Sequence, residues 1–418
     1  MMTAVNSTSP AFNLRTLVRP NILVLEPYRC ARDDYKTGVL LDANENAYGP
    51  SVLNSVVSQD PTFSSDLIAG LHRYPDPHQE EVKQKICDLR NASTAPLTSS
   101  SQLSSKLKPL SSENLYVGVG SDECIDTLIR CFAAPGRQKL LTCPPTYGMY
   151  AVAAQVNDVK VVKVNLELGT KGFPVRVGAV LDELSADPDI TLVYLCSPGN
   201  PTASLVSPGV VEKILAHPTW NGIVVADEAY IDFAPDGSSL APWVTKYDNL
   251  VVLQTLSKAF GMAGIRLGVA YASAAVARIL NNVKAPYNIS SPTSELALKA
   301  LSTAGLATMR TNIAAILEQR NRLVIELAKI GGVGEFIGGD DANFLLFRVL
   351  DKPDGQPSSP VALKLYERLA QTKGVVIRFR GKEPGCEGGL RVTIGTKEEN
   401  DVLLAKFAET LAQIYDEK

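Results

Sequence analysis

Histidine is scarce in this chain of 418 residues: His72, His78 and His217 are the only three. No His-x-x-x-His and no Cys/His cluster occurs, so no zinc centre is expected, and a Ser-His-Asp hydrolase is disfavoured. The cysteines number seven, an odd count, and none are spaced as C-x-x-C. In a chain this long that pattern reads as reduced thiols and a cytoplasmic protein rather than a disulfide framework. No G-x-x-x-x-G-K-[ST] loop is present, which removes the P-loop nucleotide hydrolases. No apolar run approaches the ~20 residues of a membrane helix. The first residues, MMTAVNSTSPAFNL, lack a basic start followed by an apolar stretch, so no secretory leader is expected. Charge is nearly balanced, with 41 Lys+Arg against 44 Asp+Glu and a net −3. Neither nucleic acid nor an anionic membrane would be held by charge alone. No internal repeat is visible.

What remains is an ordinary globular composition, 45% hydrophobic and 20% charged, long enough for roughly two or three domains. Short runs rich in Val, Leu and Ile, apolar on both faces, alternate with amphipathic segments between about 114 and 275. Strands are expected at 114–119, 139–142, 159–164, 191–195, 223–226, 250–254 and 267–271. This predicts an α/β domain with a mostly parallel seven-stranded sheet flanked by helices. The tail changes character: strands at 343–349, 375–378 and 390–394 and helices at 361–371 and 398–415 predict a smaller α+β domain. The expected organisation is an N-terminal segment (1–65) packing on the small domain, a large domain (66–320) and a small C-terminal domain (321–418). The Ser/Thr/Pro-rich stretch 91–112 reads as a solvated insertion.

Chemistry gathers where strands end. The run Thr255-Leu-Ser257-Lys258-Ala-Phe-Gly follows a strand and leads to Arg266. A lysine just past a buried strand is partly desolvated, which lowers the amine's pKa and suits it to Schiff-base chemistry. Two hydroxyls and a guanidinium beside it suit a phosphate. The competing view, a solvent-facing lysine with Arg266 in an ion pair, loses weight because the surrounding pattern is so specific. Asp227-Glu-Ala-Tyr230 also follows a strand, where parallel sheets place ligand groups. Asp227 is suited to pair with a protonated pyridine nitrogen and Tyr230 to donate to a ring oxygen. A helix start with acids against its dipole is the plainer alternative. Asn200, before Pro201, and Tyr147, after Cys143-Pro-Pro, offer an amide and an aromatic face. Each alone is as well explained by an ordinary turn. Gly118-Val-Gly120-Ser121-Asp122-Glu123 passes from strand through a glycine turn to a helix start. The backbone amides of 121–123 would cradle a phosphate, although the third glycine of a dinucleotide fingerprint is missing. Taken in order, these pieces describe a pocket for a flat, phosphorylated aromatic aldehyde: pyridoxal 5′-phosphate.

With these motifs the sequence resembles the fold-type I pyridoxal-phosphate-dependent aminotransferases, over most of its length from about residue 14. The likeness extends to Leu41-Asp-Ala-Asn44-Glu45-Asn46, Arg73-Tyr74-Pro75, Arg378 and Gly389-Leu-Arg391-Val-Thr-Ile-Gly. Within the family the nearest likeness is to members acting on L-histidinol phosphate. The resemblance implies Lys258 as the Schiff-base lysine and proton carrier, Asp227 on the pyridine nitrogen, and Asn200 and Tyr230 on the ring's 3-oxygen. It implies Tyr147 stacked on the ring, and Ser121, Asp122, Ser257 and Arg266 at the cofactor phosphate. Tyr74 would reach that phosphate from the partner of a homodimer. Tyr28 and Asn44 would line the substrate side, and Arg391 would bind the glutamate carboxylate and, together with Arg378, the phosphate of the alternative substrate. The family's usual Asn-Asn-Pro-Thr-Gly is Gly199-Asn200-Pro201-Thr202-Ala203 here, a change expected to loosen the turn at 199 and remove a flexible position at 203.

The implied activity is transfer of an amino group between glutamate and imidazole-acetol phosphate, in histidine biosynthesis. Alternatives are a related aminotransferase for aromatic or other amino acids, or a pyridoxal-phosphate-dependent decarboxylase of a phosphorylated substrate. A non-enzymatic regulator would need a DNA-binding module, for which the first 60 or so residues show no basic helix-turn-helix pattern.

Overall fold

A computed structural model describes residues 11–29, 31–34, 41–51, 70–92 and 107–417. Seven strands form the central sheet: β1 (Leu115–Val119), β2 (Lys139–Thr142), β3 (Lys160–Lys163), β4 (Ile190–Cys196), β5 (Ile223–Asp227), β6 (Leu250–Thr255) and β7 (Leu267–Ala272). Their order is β1-β7-β6-β5-β4-β2-β3. The pairs from β6 through β3 are parallel, whereas β7 runs antiparallel to both β6 and β1. The sheet is thus mostly parallel, with one reversed strand. β4, β5, β6 and β7 are buried nearly throughout, as their continuous Val/Leu/Ile runs require when helices cover both faces.

A second sheet, ordered β10-β11-β9-β8, contains β8 (Val333–Phe336), β9 (Phe344–Val349), β10 (Arg378–Phe379) and β11 (Gly389–Thr393). It packs on the helices Ser359–Thr372 and Lys397–Asp416 through Phe347, Leu365, Leu369, Phe407 and Leu411. The helix Thr303–Leu327 joins the two units. Met309 belongs to a cluster with Tyr230 and Phe344, while Leu323 and Leu327 belong to the small unit's core. The expected boundary at 320/321 therefore falls inside one continuous helix. Backbone bonds also tie the units, from Gly339 N–H to Thr202 O (2.7 Å) and from Asp341 N–H to Ala203 O (2.9 Å).

Of the expected N-terminal segment, residues 11–23 dock on the large unit rather than the small one, and 1–10, 30, 35–40 and 52–65 lie outside the described residues. Leu17 and Val18 are buried in the large unit's core beside Cys131 and Phe132. Arg19 N–H donates to Cys131 O (3.0 Å) and its guanidinium to Arg130 O (2.8 Å). Residues 11–23 thus pack on the large unit because a helix end there leaves carbonyls that Arg19 satisfies. Of the expected insertion, 93–106 lie outside the described residues. Its flanks are pinned by two bonds between the Asn91 amide and the Leu110 backbone, both 2.9 Å.

One buried polar network fixes the ends of β5 and β6. Arg90, on the helix Glu80–Asn91, forks Asp232 at 2.8 and 3.2 Å and donates to Gln254 Oε1 at 2.8 Å. Gln254 in turn donates to Glu228 at 2.8 Å. Among the described residues no helix is long and apolar enough to cross a membrane.

Candidate active site

β1 runs in the same direction as β2 to β6, so the carboxyl ends of β1, β2, β4, β5 and β6 open on one edge. Because β7 is reversed, the residue before it, Arg266, comes back to that same edge. Five loops from different parts of the sequence therefore meet there, where parallel sheets bind ligands.

The register β1–β7 pairs Val119 with Leu267, which sets Gly120 beside Arg266. Gly120 N–H donates to Arg266 O (2.9 Å). Gly120 has φ +73°, and a Cβ on it would stand 2.4 Å from Arg266 Nη2. Gly268 approaches still more closely, since a Cβ there would lie 2.2 Å from Gly120 C and Ser121 N. Only glycines let the helix start at 120–123 and the guanidinium share this corner. Asp122 Oδ2 lies 3.8 Å from Arg266 Nη2, and Tyr147 donates its hydroxyl to Asp122 Oδ1 (3.1 Å). Glu123 has a different use from its neighbours: its carboxylate accepts from Val119 N–H and from Asn288 (3.1 Å). Its side chain caps the turn, leaving only its backbone N–H for the cradle. Ser257 joins from the β6 loop, its N–H donating to Thr255 Oγ1 (3.2 Å), while that hydroxyl donates to Leu267 O (3.0 Å).

Asp227 ends β5 at 2% exposure. It accepts from the Tyr150 hydroxyl (2.6 Å) and from Ala229 N–H (3.2 Å). Burial pushes its carboxyl up to about 6, although the Tyr150 bond favours the ionised form. Glu228 points elsewhere, accepting from Ser239, Leu240 N–H and Gln254, so the acid pair divides into one site group and one structural group. Lys258 Nζ lies 5.5 Å from the Tyr230 ring centroid. Desolvation lowers its amine below the ordinary lysine range, with Arg391 and Arg266 adding to the effect and Asp122 and Asp227 opposing it. Tyr230 is nearly buried, edge-on to Phe344 at 5.1 Å.

The small unit closes the site. Arg391, on β11, donates to Asn200 Oδ1 at 2.6 Å and lies 5.1 Å over the Phe344 ring. With Oδ1 engaged by a guanidinium, the Asn200 amide nitrogen is fixed as a donor. Arg378 stands opposite Arg391 in the β10–β11 register, exposed at the rim. The departures from the family motif have local effects. Ala203 is fully buried at φ +54°, a left-handed conformation that costs a non-glycine residue about 1–2 kcal/mol. The turn at Gly199 is tight rather than loose: a Cβ there would be 2.1 Å from Thr202 Oγ1.

The structure thus brings Ser121, Asp122, Tyr147, Asn200, Asp227, Tyr230, Ser257, Lys258, Arg266 and Arg391 to one edge. Tyr28 (68% exposed) and Asn44 lie on the surface, and Tyr74 stacks on Tyr287 at 4.6 Å. Among the described residues no hydrogen bond or ring contact joins these three to the Lys258 pocket. Sequence reasoning missed Tyr150, which lies in the first turn of the helix Met149–Val156, three residues after Tyr147. It also missed Arg380, which donates to Asn200 Oδ1 at 3.4 Å. The alternation Arg378-Phe-Arg380 at a strand was the available signal.

The groups on this edge fit a phosphorylated pyridine aldehyde. A helix start and guanidinium share a corner that a Cβ would fill, a buried carboxylate awaits a cation, and an amine of depressed basicity stands nearby. Residues 36–407 match the aminotransferase class I and II family, and the chain belongs to it. A histidinol-phosphate aminotransferase of Schizosaccharomyces pombe is 53% identical over 97% of this chain and 100% of its own length. One of Saccharomyces cerevisiae is 49% identical over the same shares. Within the family the chain groups with the histidinol-phosphate aminotransferases. The solved histidinol-phosphate aminotransferase of Sinorhizobium meliloti, in complex with pyridoxal-5′-phosphate, superposes with a TM-score of 0.67 at 21% identity. It covers 89% of this chain and 90% of its own, showing the shared fold.

Proposed function

We propose that the chain is a histidinol-phosphate transaminase that takes pyridoxal 5′-phosphate, moving an amino group between glutamate and imidazole-acetol phosphate in the cytoplasm. Near-identity of length with the relatives so named supports this. The observation that carries it is the meeting of Lys258, the buried Asp227 and the Gly120–Arg266 corner on one sheet edge. When bound, the cofactor supplies an electron-accepting ring that stabilises negative charge at the substrate's Cα.

The chain's residues divide the work. Asp227, ionised and shielded by burial, would hold a proton on the ring nitrogen, and Tyr150 keeps that carboxylate oriented and charged. Asn200 and Tyr230 would donate to the ring oxygen, and Tyr147 would cover one ring face. Ser121, Asp122, Ser257, Arg266 and the N–H groups of 121–123 would hold the phosphate, with Asp122 positioning Arg266 and Tyr147. Lys258 Nζ, its basicity lowered by desolvation, would take a proton from Cα and deliver it to the carbon on the other side of the transferring nitrogen. Arg391 would bind the carboxylate of glutamate and, with Arg378, the phosphate of the other substrate. Tyr28 and Asn44 would line the substrate side. In a homodimer Tyr74 would serve the neighbouring site, in keeping with its half-exposed position at the surface.

Absorbance spectra of the purified protein test this. The cofactor band should bleach with L-histidinol phosphate or glutamate and not with tyrosine or leucine, and 2-oxoglutarate should form from glutamate. Lys258→Ala should lose the borohydride-reducible link to the cofactor and nearly all turnover. A wild-type band that bleached equally with tyrosine would favour the broader aminotransferase reading. Release of CO₂ would favour the decarboxylase.

A further inference from the structure

Arg380 is held on a rigid turn and aimed into the site. Its N–H donates to Gly389 O (2.8 Å), and Glu383 N–H donates to Arg380 O (3.0 Å). The turn beyond is braced by Arg348, which donates to Glu387 O (2.8 Å) and Gly385 O (3.1 Å). The Arg380 guanidinium is mostly buried and splits its donors: Nη1 to Glu383 Oε1 at 2.6 Å, Nη2 to Asn200 Oδ1 at 3.4 Å. The second is a long bond to an oxygen already filled by Arg391 at 2.6 Å. Arg380 Nε, Arg391 Nε and Glu383 Oε2 are buried without a hydrogen-bond partner. This corner therefore keeps unused donor capacity on two guanidinium groups.

Charge bears on which substrate gains from it. Arg378, Arg380 and Arg391 stand against Glu383, three positive groups and one negative, leaving a net of two positive charges. A phosphate monoester near neutrality carries close to two negative charges, whereas a carboxylate carries one. Glu383 holds the Arg380 side chain in place, so little rotamer entropy is lost on binding, and a guanidinium fork matches phosphate geometry.

We propose that Arg380, tethered by Glu383, is a specificity-determining residue that favours a phosphate-bearing amine over a purely carboxylate-bearing one. This rests on the transaminase reading of the same site. The test uses the cofactor-loaded enzyme and its R380Q, R380K and E383Q variants. Bleaching of the cofactor band is titrated separately with L-histidinol phosphate, its dephosphorylated analogue L-histidinol, and glutamate. R380Q should raise the half-saturating L-histidinol phosphate roughly 10- to 100-fold, the span of a charge-assisted hydrogen bond. The limiting bleaching rate and the half-saturation for L-histidinol and glutamate should stay within about threefold. R380K should recover part of the loss, and E383Q, which frees the guanidinium to wander, should weaken L-histidinol phosphate selectively by a smaller factor. An equal shift for L-histidinol and L-histidinol phosphate would mean that Arg380 merely supports Asn200 and would overturn the proposal, as would no shift at all. Calorimetric binding of methyl phosphate is a second arm that needs no turnover. If wild type failed to bleach with L-histidinol phosphate, the transaminase reading would fall. Loss of methyl phosphate binding in R380Q would still support the anion role of Arg380, and unchanged binding would refute it.

Discussion

Gly268→Ala probes the corner that makes the phosphate cradle. Gly268 lies on β7, paired on one side with Gly118 and on the other with Thr255. A methyl group there would stand 2.2 Å from Gly120 C and Ser121 N and 2.4 Å from Gly120 O. These are backbone atoms, so no side-chain rotation relieves the overlap, and a displacement of about 1 Å is needed to restore ordinary contact. β7 is locked between two ladders, whereas Gly120 and Ser121 lie past the end of β1, so the helix start yields. Overpacking of this kind costs about 1–3 kcal/mol. If that cost falls on the bound cradle, cofactor affinity drops roughly 5- to 150-fold. Titrating the apo-protein with pyridoxal 5′-phosphate, followed by fluorescence, measures the loss. Thermal melts of the apo-protein show whether folding absorbed part of it. Affinity and melting temperature both unchanged would refute the claim that this contact shapes the cradle.

Other expectations follow from the same contacts. Cofactor affinity should fall about tenfold per unit as pH drops below about 6, because Asp227, pushed up to about 6 by burial, must be ionised to hold a cation. The apo fold should respond with the opposite sign, gaining stability through that window, since the folded state binds the proton more tightly than the unfolded chain. Tyr150→Phe removes a 2.6 Å bond to the ionised carboxylate, so the affinity edge should move toward neutrality by about one unit or more. A pH profile that did not move would show that Tyr150 does not tune Asp227. Arg90→Met strands Asp232 and should cost about 3–5 kcal/mol, read as a lower urea midpoint at unchanged slope. A loss under about 1 kcal/mol would show that the network does not hold the ends of β5 and β6.

The central strands were legible because each is a short Val/Leu/Ile run bounded by turns, and every expected segment in 114–275 overlaps an observed strand. β8 escaped because Val333-Gly-Glu-Phe336 is short and shows no alternation. The docking of residues 11–23 was illegible for another reason: the contact of Arg19 with Cys131 joins positions far apart in the chain, and nothing in local pattern encodes it. The site divides in the same way. Residues at strand ends, such as Asp227 and Lys258, announce themselves by position. Tyr150 and Arg380 act through partners on other elements, and the use of Glu123 as a turn cap emerges only when Asn288 is brought alongside it.

The reversed strand has a consequence for assembly. In the β1–β7 pairing, a slip by a single residue would turn every β7 side chain to the opposite face and carry the guanidinium at its head away from the glycine corner. A chain zipped out of step would keep its lysine yet have nowhere to seat an anion. Ligand loading would thus report on strand alignment, and a population that folds but stays colourless would betray a misaligned sheet.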